Sequence, residues 1–217
     1  MKDTSIISEC IIEDGTTGNG NGQLDYGETV GFTVSVENVG VDNASGVNLI
    51  LSCDDPLITL IDAEEYLAGI NSGATCTLND AFALEISPDV LDGAEISFEL
   101  TASDGDSTWV SPFSITAHAP EFIYGSILID DPAGNGDNHF DPGETADFNI
   151  TIENAGSSDA TGISFVLAST EPLIIIPSDS IYQSSLTAGE EIVLFYPNVS
   201  ANPDLPQGDS VAFALSI

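Results

Sequence analysis

The sequence has almost no basic residues. Lys2 is the one Lys or Arg, against 36 Asp and Glu, which gives a formal net charge of −35 in 217 residues. Proteins that bind nucleic acid or anionic lipid headgroups contact the phosphates through Lys and Arg. We therefore expect no nucleic-acid partner and no membrane insertion. Cations are the partners that this charge favours.

Cysteine and tryptophan are also scarce, with three Cys and one Trp. Three cysteines are too few for a fold built on disulfides. Long apolar runs are absent, so no transmembrane span is predicted, and Met1–Thr4 starts no apolar export signal. Because 42% of the residues are nevertheless apolar, the sequence predicts a folded protein and not an acidic disordered tail.

The sequence repeats itself internally. An offset of 116 residues carries Gly18 onto Gly134, and a later single deletion changes the offset to 115. Pairs that this register makes identical are Asp14 and Asp130, Asp25 and Asp141, Glu28 and Glu144, Asn38 and Asn154, Tyr66 and Tyr182, and Pro88 and Pro203. The chain is therefore predicted to hold two tandem copies of one module, residues 1–119 and 120–217.

Both copies have the apolar/polar alternation of half-buried β-strands. The clearest runs lie at 30–36, 47–51, 96–100, 146–152, 163–167 and 211–215. No helical periodicity persists, and Gly, Pro, Asn and Asp clusters separate the runs. About seven short strands in roughly 100 residues is typical of an immunoglobulin-like sandwich. The predicted fold class is all-β, with two tandem immunoglobulin-like β-sandwich domains.

The second copy lacks a strand that the first one has. In the first copy a turn at 103–106 leads into a last strand predicted for 107–116, whereas the second copy stops at Ile217, which matches Ala102. Two explanations fit. The chain is a fragment whose next residues supply the strand, or the strand comes from another copy, which produces head-to-tail polymers by strand addition.

A polar loop at 14–28 can be aligned with the twelve-position calcium loop of an EF-hand. Thr17 occupies the first position, where an acidic ligand belongs, and Asp14 is the carboxylate that can replace it. The other predicted ligands fit the pattern, with Gly22 as the turn glycine: Asn19, Asn21, Gln23 through its backbone carbonyl, Asp25 and Glu28. Since strands flank the loop, we expect a calcium loop in a β-sandwich and not a helix-loop-helix switch.

The second copy repeats this loop at 130–144. Its predicted ligands are Asp130, Asn135, Asp137, His139, Asp141 and Glu144, with Asp131 as a further candidate for the first position. Ca²⁺ takes six to eight hard oxygens from a sharply turning loop, and alternating Asn, Asp and Gly supply both features. The other interpretation is a polar turn whose residues merely suit positive φ. Oxygen ligands in both copies favour calcium.

These residues resemble a known family. The string GNGNGQLDYGE at 18–28, the strand FTVSVENVG at 32–40 and ISPD at 86–89 are similar to Ig-like modules of secreted bacterial surface proteins. Such modules accompany gingipain-type cysteine peptidases and also occur in adhesins and stalks. The resemblance implies a secreted, extracellular or cell-surface protein with a β-sandwich fold and bound calcium. It does not imply peptidase activity.

The sequence favours a non-catalytic function. Cys53 and Cys76 share the parity of core residues, so they are expected either to form a disulfide or to pack as free thiols, with Cys10 unpaired. We expect a calcium-stabilised structural module of an extracellular assembly or filament, whose partners are calcium ions and other copies or neighbouring modules. The alternatives are an adhesin that binds carbohydrate through Trp109, a spacer of a secreted peptidase and, with least support, a glycosidase.

Overall fold

The computed structural model describes residues 6–208 and 210–217, with side chains from Glu9 onward. Every regular element in those ranges is a β-strand, which confirms the all-β fold class. The chain divides into two compact units, Met1–Ala119 (unit 1) and Pro120–Ile217 (unit 2). Within the described ranges, no helix is long and apolar enough to cross a bilayer. The predictions made for Lys2 and Met1–Thr4 lie outside the described residues.

Unit 1 contains two sheets that share one core. The sheets have the strand orders β1-β3-β7-β5 and β2-β9-β8-β4-β6, and all pairs are antiparallel except β2 with β9. The strands are β1 (Ile6–Glu13), β2 (Leu24–Asp25), β3 (Thr29–Glu37), β4 (Ala44–Cys53), β5 (Ile58–Asp62), β6 (Glu64–Ile70), β7 (Thr75–Ile86), β8 (Glu95–Ser103) and β9 (Thr108–His118).

Unit 2 repeats this plan with fewer strands. Its sheets have the orders β10-β11-β15-β13 and β14-β12-β16. The strands are β10 (Phe122–Asp130), β11 (Thr145–Asn154), β12 (Ala160–Ser169), β13 (Ile174–Ile175), β14 (Ser180–Leu186), β15 (Glu191–Ala201) and β16 (Phe213–Ser216). β16 corresponds to β8, and the described residues of unit 2 contain no counterpart of β9.

Alternating apolar residues build both cores, as the sequence pattern predicts. In β3, Val30, Phe32, Val34 and Val36 are buried, and in β11 the matching residues are buried as well. The facing sheets contribute residues such as Leu49 of β4 to the core of unit 1 and Phe165 of β12 to that of unit 2. Each unit therefore has the sandwich-like arrangement of two sheets around one apolar layer.

The three cysteines are free thiols, so of the two predicted alternatives Cys53 and Cys76 pack without a disulfide. The two residues lie at opposite ends of unit 1. Cys76 lies near the end of β3 that Asn38 follows. Asn38 donates a hydrogen bond to the carbonyl of Ile70, which pairs with Ala44, so the first residue of β4 lies at this same end of the unit. Cys53 lies nine residues further along β4, about 30 Å at ~3.3 Å per residue, which is far beyond the reach of a disulfide.

Candidate metal centre

The first polar loop runs from the end of β1 to the start of β3 and is built around the buried side chain of Asp14. Oδ2 of Asp14 accepts hydrogen bonds from the backbone N–H groups of Gly20 at 3.0 Å and Asn21 at 2.9 Å. Both carboxylate oxygens accept from the N–H of Gly22 at 3.2 Å. These bonds wrap the loop around the carboxylate of Asp14, the residue that is predicted to replace Thr17 as the first ligand.

Asp25 brings a second carboxylate into this loop. It lies on β2, is 1% exposed, and its Oδ2 accepts bonds from the side-chain amides of Asn19 and Asn21, both at 2.8 Å. Its other oxygen, Oδ1, is buried and has no hydrogen-bond partner. A buried carboxylate oxygen without a partner is costly unless a cation or a donor reaches it.

Glu28 brings the third carboxylate and the second unpartnered oxygen. Its Oε1 accepts a hydrogen bond from the N–H of Asn19 at 2.8 Å, whereas its Oε2 is buried and has no partner. Burial raises the pKa of Glu28, and the negative charges of Asp25 and Asp14 raise it further, against the lowering effect of the Asn19 N–H. The group therefore carries the electrostatic strain that a bound cation relieves.

Gly18 makes the space that Glu28 occupies. A Cβ at this position would lie 2.6 Å from Oε2 of Glu28 and 3.0 Å from Cβ of Asp14. Gly134 has the same role in unit 2, where a Cβ would lie 2.8 Å from Oε1 of Glu144. The sequence pattern marks these glycines only as turn residues, so their packing role is a finding of the structure.

The oxygens of the first loop fit a hard cation. Besides the two unpartnered carboxylate oxygens, the amide oxygens of Asn19 and Asn21 each accept one backbone N–H and retain a second lone pair. Across the described ranges, no three His, Cys, Asp or Glu side chains are grouped closely enough to hold a metal by themselves. An ion here must therefore also bind amide or main-chain oxygens, which are ligands that Ca²⁺ accepts readily.

The second loop, between β10 and β11, has the same construction. Asp131 is buried and accepts hydrogen bonds from the N–H groups of Gly136 at 2.9 Å and Asn138 at 3.0 Å. The N–H of Asn135 donates to Oε1 of Glu144 at 2.9 Å, and its side-chain amide donates to Oδ2 of Asp141 at 3.1 Å. The two loops therefore position their carboxylates through similar bonds, but Oε2 of Glu144 accepts the N–H of Asp141 at 3.2 Å, whereas Oε2 of Glu28 has no partner.

The structure places Asp131, and not Asp130, at the position of Asp14. In the sheets, Glu13 pairs with Gly31 and Asp130 pairs with Asp147, which are matching positions of β3 and β11. Asp130 is therefore the counterpart of Glu13, and it is exposed at the end of its strand. The turn that follows is one residue shorter in unit 2, and the predicted register conceals this difference because two aspartates stand side by side.

His139 and Asp137 lie on the outside of the second loop. Oδ1 of Asp137 accepts the N–H of His139 at 2.9 Å, and the exposed ring lies beside that carboxylate with Nδ1 3.3 Å from Oδ1. The hydrogen bond from the His139 backbone lowers the pKa of Asp137, and the hydrogen bond to the Asp137 backbone raises that of His139. The His139 ring is therefore engaged by Asp137, and the side chain of Gln23 is likewise engaged by the amide of Asn21.

Buried Asn38 and Asn154 are a further matched pair, which the sequence shows only as repeated residues. Asn38 donates to the carbonyls of Asp42 at 2.9 Å and Ile70 at 3.0 Å and accepts the N–H of Gly40 at 3.0 Å. Asn154 donates to two carbonyls and accepts two N–H groups in the same way. Each side chain fastens the loop after the central strand to its own sandwich.

No family model matches the chain, and no curated protein matches it. The function is therefore inferred from the loops themselves. Their strongest feature is the pair of buried oxygens without partners, Oδ1 of Asp25 and Oε2 of Glu28.

Proposed function

We propose that the protein is a non-catalytic, calcium-stabilised structural module. The observation that carries the proposal is the first loop, in which Asp25 and Glu28 each keep one buried oxygen without a hydrogen-bond partner. Two such oxygens in a loop that already holds Asp14 need positive charge, and the chain has one Lys or Arg in all, Lys2. A divalent cation from solution satisfies that need.

The loop residues would divide the work of holding Ca²⁺. Asp14 fixes the loop backbone through the N–H groups of Gly20, Asn21 and Gly22, and its charge adds to the site. Asp25 and Glu28 supply anionic oxygens, and Asn19 and Asn21 supply neutral ones. The ion would provide charge neutralisation, and it would join the residues between β1 and β3 more rigidly than the hydrogen bonds do alone.

We assign each unit to the immunoglobulin-like sandwich class, so that the chain holds two tandem domains. The strand count of unit 1, the repeated sheet orders and the shared loop support this assignment. The likeness of the loop and strand motifs to modules of secreted bacterial surface proteins supports an extracellular or cell-surface location. In that setting millimolar calcium is ordinary, so even a weak site of this type is occupied.

The partners in this proposal are calcium ions and other copies or neighbouring modules of the same assembly. The support for calcium is the pair of unpartnered oxygens in the first loop, and the support for neighbouring modules is the repetition of one sheet plan in units 1 and 2. Trp109, the residue on which a carbohydrate-binding alternative depends, packs against the apolar core of unit 1, and this contact favours a role in packing.

Thermal unfolding with calcium and with EDTA tests the proposal. At a calcium concentration 100 times Kd, binding stabilises the folded state by about 2.7 kcal/mol, on the order of 10 °C for a domain of about 100 residues. Asp25→Asn combined with Glu28→Gln removes two of the three carboxylate charges of the first loop and should remove the calcium effect on unit 1. The matched control is Glu99→Gln, an exposed carboxylate of β8. Equal melting temperatures with calcium and EDTA would refute the proposal.

A further inference from the structure

The first loop contacts the last residues of unit 1. β2 pairs in parallel with β9, and this pairing sets Leu24 opposite Ala117 and Asp25 opposite His118. The carbonyl of His118 accepts the N–H of Tyr26 at 2.9 Å. His118 is the last residue of β9, and Asp25 has one of the two unpartnered buried oxygens. A proposed calcium ligand and the end of the last strand of unit 1 are therefore direct neighbours.

A turn of unit 1 holds the same residues through separate bonds. The carbonyl of Ala117 accepts the N–H of Gly93 at 2.9 Å, and the N–H of Ala117 donates to the carbonyl of Ala94 at 2.8 Å. Oδ1 of Asp92 accepts the N–H of Ala119 at 3.0 Å. Ala119 is buried and is the last residue of unit 1. The end of the unit therefore has two attachments, one to β2 and one to this turn.

Unit 2 holds the chain almost immediately afterwards. The N–H of Glu121 donates to Oδ1 of Asn154 at 3.1 Å, and the carbonyl of Glu121 accepts the N–H of Ala155 at 2.7 Å. Unit 1 thus holds the residue before Pro120, and unit 2 holds the residue after it. The proline ring further restricts the chain, because it fixes φ at about −65°. Residues 117–121 are called the junction below.

The second loop lies away from the junction in its own unit. β10 begins at Phe122, next to the junction, and ends at Asp130, where the second loop starts. Eight residue steps along a strand at ~3.3 Å each place these two ends about 26 Å apart. Within its own unit, the first loop therefore borders the junction and the second does not.

Charge weakens the attachment of β2 when no cation is bound. Asp14, Asp25 and Glu28 bring three carboxylates into the first loop, and the one Lys or Arg of the chain is Lys2. β2 has only two residues, so few hydrogen bonds hold it. Elements with few bonds open locally at low free energy, and repulsion between like charges favours that opening. We therefore expect β2 to open from β9 in the metal-free chain.

We propose that calcium binding by the first loop stiffens the junction. The ion would neutralise the loop carboxylates and hold β2 against β9, which fixes His118 and the residues that follow it. Without calcium, the junction would keep only its bonds to the turn at 92–94. Calcium would thus regulate the flexibility of the chain between the two units. This inference rests on the proposed calcium function.

NMR relaxation of the backbone amides of the full chain tests the inference, in calcium and in EDTA at matched ionic strength. We expect order parameters of about 0.85 for Tyr26 and Ala119 in calcium, and lower values for both in EDTA. Leu49, in the middle of β4, should keep its order parameter in both samples. An unchanged Leu49 shows that unit 1 stays folded while its end loosens.

Asp92→Ala removes the second attachment of Ala119. In this variant the junction depends more strongly on β2, so calcium should have a larger effect than in the natural chain. We expect the order parameter of Ala119 to fall below about 0.6 in EDTA, the range of flexible backbone, and to recover in calcium.

Two matched double variants locate the calcium effect. Asp25→Asn combined with Glu28→Gln should give Ala119 the same low order parameter in calcium as in EDTA. Asp141→Asn combined with Glu144→Gln, the equivalent change in the second loop, should keep the difference between calcium and EDTA. Loss of that difference in the second-loop variant as well would contradict an effect that originates in the first loop.

Calorimetric titration of calcium into the same samples separates this inference from the proposed function. If calcium binds to the first loop while the order parameter of Ala119 is equal in calcium and EDTA, in the natural chain and in Asp92→Ala, the inference is overturned and the proposed function stands. If no calcium binds, both are overturned.

Discussion

The backbone N–H of Asn19 donates a hydrogen bond to Oε1 of Glu28 at 2.8 Å, and the other carboxylate oxygen of Glu28 is left buried without a partner. The bond holds the side chain of Glu28 inside the loop. Its free oxygen can therefore reach solvent only if this hydrogen bond breaks. Asp25 is in the same condition, with one oxygen bound to two amides and the other free. This arrangement is costly unless a cation or a hydrogen-bond donor reaches the two oxygens.

Gly18→Ala should disrupt the first calcium loop. Its Cβ would lie 2.6 Å from Oε2 of Glu28, so the carboxylate must move. We expect a loss of about 1–3 kcal/mol in the free energy of unfolding of unit 1 and a calcium affinity of the first loop lowered at least tenfold. Gly15→Ala is the matched control, because nothing lies within 4 Å of a Cβ there. Denaturant unfolding and calorimetry measure the two effects, and equal behaviour of the two variants would contradict the prediction.

Asp131→Ala should destabilise unit 2, whereas Asp130→Ala should not. Asp131 is buried and accepts the N–H groups of Gly136 and Asn138, and a hydrogen bond to a charged group contributes about 1.5–3 kcal/mol. Asp130 is exposed on β10, so its replacement should stay within about 0.5 kcal/mol. Urea unfolding of the two variants decides between them. A larger loss of stability in Asp130→Ala than in Asp131→Ala would contradict the prediction and support the alignment that matches Asp130 with Asp14.

Asn38→Ala should destabilise unit 1 without changing its calcium affinity. The side chain makes three hydrogen bonds to the backbone and is fully buried, so its removal leaves buried carbonyls and an N–H without partners. We expect a loss of about 2–4 kcal/mol in the free energy of unfolding. The exposed Asn79 provides the control variant Asn79→Ala. Retention of full stability by Asn38→Ala would show that the loop after β3 is held by other contacts.

Cys10 should react slowly with alkylating reagents at neutral pH. Burial raises the pKa of its thiol to about 11, so at pH 8 only about one molecule in a thousand carries the reactive thiolate. The rate of modification by iodoacetamide should therefore rise about tenfold per pH unit between pH 8 and pH 10. Peptide mass spectrometry follows the residue, with the unfolded chain as reference. A rate that levels off near pH 9 would contradict a buried thiol.

Intact-mass analysis without reductant tests the state of all three thiols. Because Cys53 and Cys76 lie at opposite ends of unit 1, we expect three labelled cysteines after unfolding in the presence of an alkylating reagent. A mass that shows one label would mean that two of the thiols are bridged, and this would contradict the strand register of β4 and β7.

The strands were predictable because period-two patterns of apolar residues are set by local sequence and by burial on one face. The residues that build the loop were largely predictable for a similar reason, since Asn, Asp and Gly at these spacings follow the chemistry of a turn. Packing roles were not predictable in this way. Gly18 is needed because the side chain of Glu28 occupies the space that a Cβ would take there. The two residues are not neighbours in the sequence, and no sequence pattern indicates that they touch.

The choice between Asp130 and Asp131 failed for a different reason. A repeat alignment matches residue identities, whereas the structure matches positions on paired strands. Because the turn before the loop is one residue shorter in unit 2, the correspondence between the two units changes by one residue in the strand before that turn. The choice between a Cys53–Cys76 disulfide and two free thiols also needed the positions of residues on paired strands. Core parity places Cys53 and Cys76 on buried faces, but only strand direction and pairing place them at opposite ends of the sandwich.

Calorimetric titration of Ca²⁺ into the metal-free chain tests the central claim most directly. The account predicts calcium bound by both loops of the natural chain, loss of the site of unit 1 when Asp25→Asn and Glu28→Gln are combined, and retention of both sites in Glu99→Gln. Absence of binding to the natural chain, or a titration that the double substitution leaves unchanged, would contradict it.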